Sequence, residues 1–367
     1  MADPAPHPET PLDLQGIRSR IDALDERLID LLNQRAALVM QVAEVKKRQD
    51  LDIYVPGREE SLLRRLEQYN TQSGGRLAGR GIRAIFREIM SAALALEDNL
   101  RIAYLGPAGS WTHQVALSKF GQSVDYLAQP SIEACFQRVH SREASYAVLP
   151  FEHSQEGVVE HTLDHLCDST LCIYAQIPWT LQTVVMSQRD LASPRVIFGS
   201  AQALELCRHW LSQRFPDALL QPCESSNLAA SAALQHEDSA AVGTPLAAEL
   251  GGLRVLAGSP PDSTSQARFI ILGPRSGPPS GMDNSMLMIE ACDQVGSLAS
   301  LLMTFASHEI QVRHLETRQP SKPGGAALFF VELGAHSDDP PLKACLREFS
   351  DKGIVHKVLG SYPSTLR

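Results

Sequence analysis

Cysteine is scarce in this sequence and shows no pattern. The seven residues, Cys135, Cys167, Cys172, Cys207, Cys223, Cys292 and Cys345, include no C-x-x-C pair and no cluster with histidine at zinc-ligand spacing. That argues against a disulfide framework and a structural zinc, and fits reduced thiols in a cytosolic protein; no metal and no cofactor is expected. No run of 18 apolar residues occurs, so no membrane helix is expected. Positive charge is not in excess: 33 Lys and Arg face 42 Asp and Glu, a net charge of −9. This argues against a nucleic-acid surface and leaves room for local basic pockets that hold small anions. The first residues, Met1 to Thr10, are Pro-rich without an apolar core, so they are expected to be disordered rather than a signal peptide or a span. What is there is globular in composition, 44% hydrophobic and 20% charged, and 367 residues are too many for one core. Two or three domains are expected.

Proline and glycine are absent between Gly16 and Gln49, and there the apolar residues Ile17, Ile21, Leu24, Leu28, Leu31, Leu32, Leu38, Val42 and Val45 keep helical spacing. At ~1.5 Å per residue this helix is on the order of 50 Å long, so its apolar face calls for helical partners from elsewhere. Arg35 and Lys46 are 11 positions apart, on nearly the same face with roughly 16 Å between their Cα atoms, a span in which two long side chains could hold one small anion. Arg18 is 17 positions before Arg35, roughly 25 Å away and about a quarter-turn round the axis. If it serves the same site it must come from a second copy of the chain. The alternative is a coiled-coil or bundle helix whose charges form a solvated flank.

Pro56 breaks this helix within Tyr54-Val55-Pro56-Gly57-Arg58-Glu59-Glu60, and a second helix is expected from about Gly57, with Leu62, Leu63 and Leu66 on one face. A Ser/Gly-rich link, Thr71 to Gly81, leads to a third with Ile82, Ile85, Phe86, Ile89, Met90, Leu94 and Leu96. This order of helices, carrying Arg18, Arg35, Lys46, Arg58, Glu59 and Glu97, resembles the AroQ-type chorismate mutases over about the first hundred residues, most closely in RIDALDERLIDLLNQRAALVMQVAEVKK.

The resemblance implies catalysis without a covalent intermediate. Chorismate, a dianion, would be held in its folded conformer while negative charge on the breaking ether oxygen is stabilised. Arg18 of a partner chain and Arg35 would take the carboxylates, Lys46 the ether oxygen and Glu59 the ring hydroxyl, with Arg58 supporting the pocket. Glu97 would be the second partner of the ether oxygen. Some relatives have Gln there, and a glutamate donates only when protonated, so mutase activity is expected to rise as pH falls. Val55 departs from the Asp that many relatives carry before this proline. A homodimer with shared mutase sites follows.

From Arg101 the pattern becomes alternating strands and helices, an α/β layered arrangement. Strands are expected at Arg101–Leu105, Tyr146–Leu149, Val196–Phe198, Ala240–Gly243 and Phe269–Leu272, with a β-rich stretch from Leu171 to Val185. Helices are expected at Thr112–Phe120, Val158–Cys167, Ala201–Arg214, Leu228–Leu234 and Pro245–Leu250, and a polar loop at Pro150–Gly157. The Gly106–Ser110 turn before a helix start is a ready anion site, although most such loops are ordinary β–α connections.

Within Arg101 to Gly273 the wording resembles prephenate dehydratase, a fold of two α/β lobes around a cleft, like periplasmic binding proteins. The matching stretches are Gly106-Pro107-Ala108-Gly109-Ser110-Trp111-Thr112-His113, the run Leu149 to Gly157, His161-Thr162-Leu163-Asp164, Ala201-Gln202-Ala203-Leu204, Ser225-Ser226-Asn227 and Ala267-Arg268-Phe269. The reaction loses a ring hydroxyl and CO₂ together, so it needs a proton donor at the leaving oxygen. The family usually places a catalytic Thr where this chain has Ala267, and a methyl cannot donate. Its Glu-Asn-Ser reads Glu152-His153-Ser154 here, its Gly-Pro-Glu-Gly reads Gly106-Pro107-Ala108-Gly109, and the His common before Ala201-Gln202 is Ser200. Three outcomes stay open: Thr264 or Ser265 supplies the hydroxyl, His153 replaces the acid, or the domain has lost or changed its chemistry. The resemblance makes Arg268 a candidate for a substrate carboxylate, and Gln202, Ser154 and Ser225 candidates for polar contacts, beside Phe269.

The tail is expected as strand Met286–Glu290, helix Gly296–Ser307, strand Gln311–Glu316, a turn at Lys322–Gly325, strand Ala327–Leu333, helix Pro341–Ser350 and strand Ile354–Leu359. That βαββαβ order is ferredoxin-like and resembles an ACT domain, joined through a linker at 276–284. In the family, Gly296, Ser297 and Leu298 with Glu316, Thr317 and Arg318 would be the effector segments, for phenylalanine in dehydratases. Proline is missing from both, at Val295 and Gln319; the plain alternative is a dimerising module. The expected division is a disordered 1–11, a mutase at 12–99, a dehydratase-like part at 101–275 and an ACT part at 285–367. The expected function is chorismate to prephenate to phenylpyruvate on the route to phenylalanine. The alternatives are an active mutase with an altered second domain, and a non-catalytic sensor of an aromatic metabolite.

Overall fold

The computed structural model describes residues 13–49, 52, 54–97, 100–154, 157–258, 265–290, 294–318 and 327–364. Met1–Thr10, Thr264, Gln319 and the Lys322–Gly325 turn lie outside them.

Three helices come first: α1 (Leu14–Arg48), α2 (Pro56–Gln72) and α3 (Gly79–Glu97). Asp13 caps α1 by accepting from the backbone N–H groups of Gln15 and Gly16, while Lys46, Lys47 and Arg48 complement the dipole at its other end. α2 starts on Pro56 itself, whose missing N–H costs nothing at the first helical position. Among its described residues α1 buries only Ala43, and α3 is the helix it packs on. Leu24, Leu28, Leu31 and Leu38 stay 54 to 61% exposed, so most of the apolar stripe is uncovered in a single chain.

The first lobe contains β1 (Arg101–Leu105), α4 (Trp111–Phe120), β2 (Asp125–Gln129), α5 (Ile132–His140), β3 (Tyr146–His153), β4 (Gly157–Val158), α6 (Glu160–Asp168) and β5 (Cys172–Leu181). The second holds β6 (Val184–Ser187), β7 (Val196–Ser200), α7 (Ala201–Arg214), β8 (Leu219–Cys223), α8 (Ser226–Gln235), β9 (Ser239–Gly243), α9 (Pro245–Leu250) and β10 (Arg254–Gly258). β11 (Ser265–Gly273) then returns to the first sheet, whose order is β2-β1-β3-β11-β5 with β4 beside β3; the second sheet runs β10-β6-β9-β7-β8. The chain therefore crosses between lobes twice, from β5 to β6 and from β10 to β11.

Two sequence expectations need correcting. The polar loop expected from Pro150 is strand as far as His153, because β11 supplies ladder partners: Ala267 faces His153, Arg268 faces Glu152, and Phe269 faces Pro150. The register shifts between Arg268 and Phe269, a bulge that absorbs Phe151. In addition, β2, α5, β4, β8 and β10 were not expected, and the helix expected from Val158 begins at Glu160, after β4. The four strands sit at sheet edges, where little burial imposes little alternation, and edge strand β8 tolerates Pro222.

The tail forms β12 (Asp283–Glu290), α10 (Ser297–Ser307), β13 (Val312–Arg318), β14 (Leu328–Leu333), α11 (Pro340–Asp351) and β15 (His356–Pro363), in sheet order β13-β14-β12-β15. This is the ferredoxin-like arrangement expected from the element order. It packs on the first lobe: Met286, Phe330, Leu359 and Tyr362 share an apolar cluster with Leu149, Phe151, Leu163 and Ile173. Gly360 permits that approach, since a Cβ there would lie 2.2 Å from the Ile173 carbonyl oxygen.

Candidate active sites

One pocket gathers side chains from all three N-terminal helices. Arg35, Val39, Val42 and Lys46 of α1, Arg58, Glu59 and Leu62 of α2, and Met90, Ala93, Leu94 and Glu97 of α3 line it, with Tyr54 and Val55 at the turn. Arg18, exposed near the start of α1, is not among the lining residues. Lys46 Nζ lies 3.9 Å from Glu97 Oε2, and that carboxylate oxygen is buried without a hydrogen-bond partner. Burial pushes the Glu97 carboxyl up, with Lys46 pulling it back; burial lowers the Lys46 ammonium, with Glu97 opposing. Glu59 is raised by burial, against Lys119.

Lys119 belongs to α4 of the first lobe, and its Nζ is 3.8 Å from Glu59 Oε2. Nothing in the sequence singled it out. Tyr54, 1% exposed, fills the apolar cluster of that lobe beside Phe120, Tyr146 and Tyr174, and its carbonyl accepts from the Tyr174 hydroxyl. On α3, Glu88 and Ser91 accept from the backbone N–H groups of Gln122 and Ser123 at 3.0 Å each. The wall of the helical pocket is thus anchored in the next domain. Val55 offers α2 no side-chain cap, so Glu59 is the acidic group in its first turn.

The expected dehydratase residues divide between two faces of the β3–β11 pair. On the face toward α4 lie Phe269 and Ala267, packed with Tyr104 and Val115, and Ala267 pairs with His153. Ser265 Oγ is 3.1 Å from His153 Nε2 and 2.9 Å from Ser154 Oγ. On the other face Arg268 binds Glu152, Gln176 and, at 2.8 Å, Glu332 of β14, with its guanidinium over Phe151. Arg268 and Glu152 are therefore not brought together with Ala267 and His153, and the strand's period of two is the reason. Glu332 was not anticipated, although a carboxylate inside the apolar run of β14 was the available signal.

Ser200 and Ser225 cap α7 and α8, accepting from the N–H groups of Ala203 and Leu228; Gln202 sits in the first turn of α7. The lobes touch where Thr244 Oγ1 donates to the Gly109 carbonyl at 2.6 Å. A Cβ on Gly109, whose φ is +78°, would be 3.3 Å from Ala247. His113 stacks on Tyr104 at 4.5 Å and accepts from the Gly109 N–H; burial lowers its basicity.

In the tail, Gly296 and Ser297 line a small pocket with Glu290, Gln294, Val295, Ser300, Leu301, Lys352 and Ile354. Leu298, Glu316, Thr317 and Arg318 are not among its lining residues. Arg318 instead reaches α6, 2.6 Å from Asp164 Oδ1 and 3.2 Å from the Glu160 carbonyl. Among the described residues no cluster could hold a metal ion, and no helix is long and apolar enough to cross a membrane.

Helices with a basic pocket, followed by a two-lobed α/β unit and a ferredoxin-like sheet, define a fused multidomain enzyme. The family model described as Chorismate mutase type II matches residues 17–98, and that described as Prephenate dehydratase matches 102–277. A bifunctional chorismate mutase/prephenate dehydratase of Aquifex aeolicus is 34% identical over 357 residues, 96% of this chain and 99% of that protein. The chain belongs to the bifunctional chorismate mutase/prephenate dehydratase family. Among solved structures, the prephenate dehydratase of Arthrobacter aurescens in complex with L-Phe matches with a TM-score of 0.64 at 25% identity, over 72% of this chain and 90% of that one. A quorum-quenching acylase, GqqA, shares the fold at 23% identity, with a TM-score of 0.65 over 72% of this chain and 98% of that one.

Proposed function

We propose that the chain rearranges chorismate to prephenate in the helical pocket and converts prephenate to phenylpyruvate between the two lobes, in phenylalanine biosynthesis in the cytosol. The observation that carries this is the convergence of Arg35, Lys46, Arg58, Glu59 and Glu97 on one pocket. Arg35 holds a carboxylate of the folded substrate, Lys46 and protonated Glu97 stabilise the charge growing on the ether oxygen, and Glu59 accepts from the ring hydroxyl. Preorganised cations and one neutral donor suffice, since the rearrangement needs no nucleophile.

In this reading the working unit is a homodimer. The exposed stripe of α1 supports it, as does the position of Arg18 outside its own chain's pocket, leaving the second carboxylate for Arg18 of the other copy. The chain divides at 12–99, 101–275 and 285–367, the last an ACT unit that takes phenylalanine near Gly296 and Ser297, and Arg318 ties that unit to α6. A second reading, a working mutase beside a redirected cleft, is favoured by Ala267. Co-expression of Arg18→Ala and Arg35→Ala chains tests the shared site: each alone lacks mutase turnover, and mixed dimers regain it by forming one intact pocket. Mixed dimers as inactive as either parent would overturn the shared-site reading.

A further inference from the structure

We propose that Ser265 supplies the catalytic hydroxyl absent from position 267, with His153 as the residue that positions and recharges it. The proposal rests on the dehydratase reading of the cleft. Ser265 and Ala267 are alternate residues of β11 and point to the same face, about 7 Å apart along the strand. His153 is the ladder partner of Ala267, yet its Nε2 lies 3.1 Å from Ser265 Oγ. Its ring therefore runs along β11 from the level of Ala267 to that of Ser265, over a position where a small side chain leaves it room. Histidine at 153, alanine at 267 and serine at 265 make one connected arrangement, so the loss of the hydroxyl at 267 and the histidine at 153 have a common explanation.

Ser265 is 2% and His153 7% exposed, whereas Ser154, bonded to Ser265 at 2.9 Å, is exposed. The pair is thus dry at the reacting end and joined to solvent through Ser154. It also stands at the beginning of β11, where the chain has just re-entered the first lobe, and Ser265 pairs with Leu181 at the end of β5, the other inter-lobe crossing. That is the hinge end of the cleft.

In the reaction the Ser265 hydroxyl gives its proton to the leaving ring oxygen, and the C–O pair departs in water. The bond to the ring carboxylate breaks with its pair entering the ring, releasing CO₂ and aromatic phenylpyruvate. The serine oxygen regains a proton through Nε2 of His153, 3.1 Å away, and that proton is supplied in turn from solvent. One proton is consumed, which balances the prephenate dianion against the phenylpyruvate monoanion, CO₂ and water.

The test uses the full chain, measuring phenylpyruvate formed from supplied prephenate beside chorismate loss and thermal melting. Ser265→Ala should lower the dehydratase kcat by about 100-fold or more, leaving mutase turnover and the melting curve unchanged, while Ser265→Thr stays active. His153→Gln should lower kcat with little change in KM. In the Ser265→Ala background, Ala267→Thr combined with His153→Asn, which clears the room the ring occupies, should restore activity, a rescue that a merely structural hydrogen bond would not give. A Ser265→Ala chain within about threefold of wild type overturns the proposal, as does a loss of activity that neither Ser265→Thr nor the added Ala267→Thr with His153→Asn relieves. A wild-type chain that consumes chorismate but forms no phenylpyruvate overturns the underlying dehydratase reading too, so the two failures are distinguishable.

Discussion

Arg268 and Glu332 meet at 2.8 Å across the boundary between the first lobe and the C-terminal sheet. Glu332 is 3% exposed and also accepts from the Tyr362 hydroxyl at 3.0 Å and from Asn284 Nδ2 at 3.1 Å. The arginine follows Ala267 directly in β11, so the strand that carries one face of the proposed dehydratase site is fastened by its other face to the tail.

Removing Glu332 leaves Arg268 with Glu152 and Gln176 alone. Breaking a buried pair costs about 3–5 kcal/mol, and the partial exposure of Arg268 places Glu332→Ala nearer about 2 kcal/mol. The expected outcome is a lowered denaturant midpoint together with reduced dehydratase turnover, mutase turnover being retained. An unchanged midpoint in urea would count against a stabilising role for this contact.

In the proposed mutase site the pH dependence follows from Glu97. Burial raises its carboxyl pKa, so the protonated donor is populated as pH falls toward that raised value and lost as pH rises through it. Mutase kcat should therefore climb as pH drops from the alkaline side. Glu59 is also raised by burial, so in the proposed site it loses the charge with which it accepts from the substrate hydroxyl as pH falls through its own raised value, and activity declines there. Glu97→Gln should move the alkaline limb to higher pH, where loss of the Lys46 ammonium, itself lowered by burial, sets it, and leave the acid limb; overlapping profiles for the two proteins would contradict the assignment.

The three-helix order, the basic residues of the pocket, the two-lobed unit and the ferredoxin-like tail were legible because each leaves a periodic or local mark: helical spacing through α1, strand–turn–helix alternation after Arg101, βαββαβ at the end. The partition of the dehydratase residues was not. Whether Arg268 shares a face with His153 depends on a register and a bulge set between strands over a hundred residues apart, and no local pattern encodes that. Lys119 was invisible for a similar reason, since it comes beside Glu59 of the helical pocket only through the packing of that turn, with Tyr54, on the neighbouring lobe.

Lys119 yields a prediction of its own. Lys119→Met removes the cation beside Glu59, so the carboxylate becomes harder to keep ionised and the acid limb of the mutase profile moves to higher pH. A loss of about three- to tenfold in mutase kcat/KM near neutrality is expected, with Lys119→Arg close to wild type. Equal mutase profiles for Lys119→Met and wild type would show that the helical site does not depend on the fused lobe.

The most direct measurement is a split assay on the purified chain: chorismate loss in one reaction, and phenylpyruvate formation from supplied prephenate in the other. Both reactions should proceed, the first abolished by Arg35→Ala and the second unaffected by it. Failure to consume chorismate, with the helices folded, would contradict the assignment of the pocket formed by Arg35, Lys46 and Glu97.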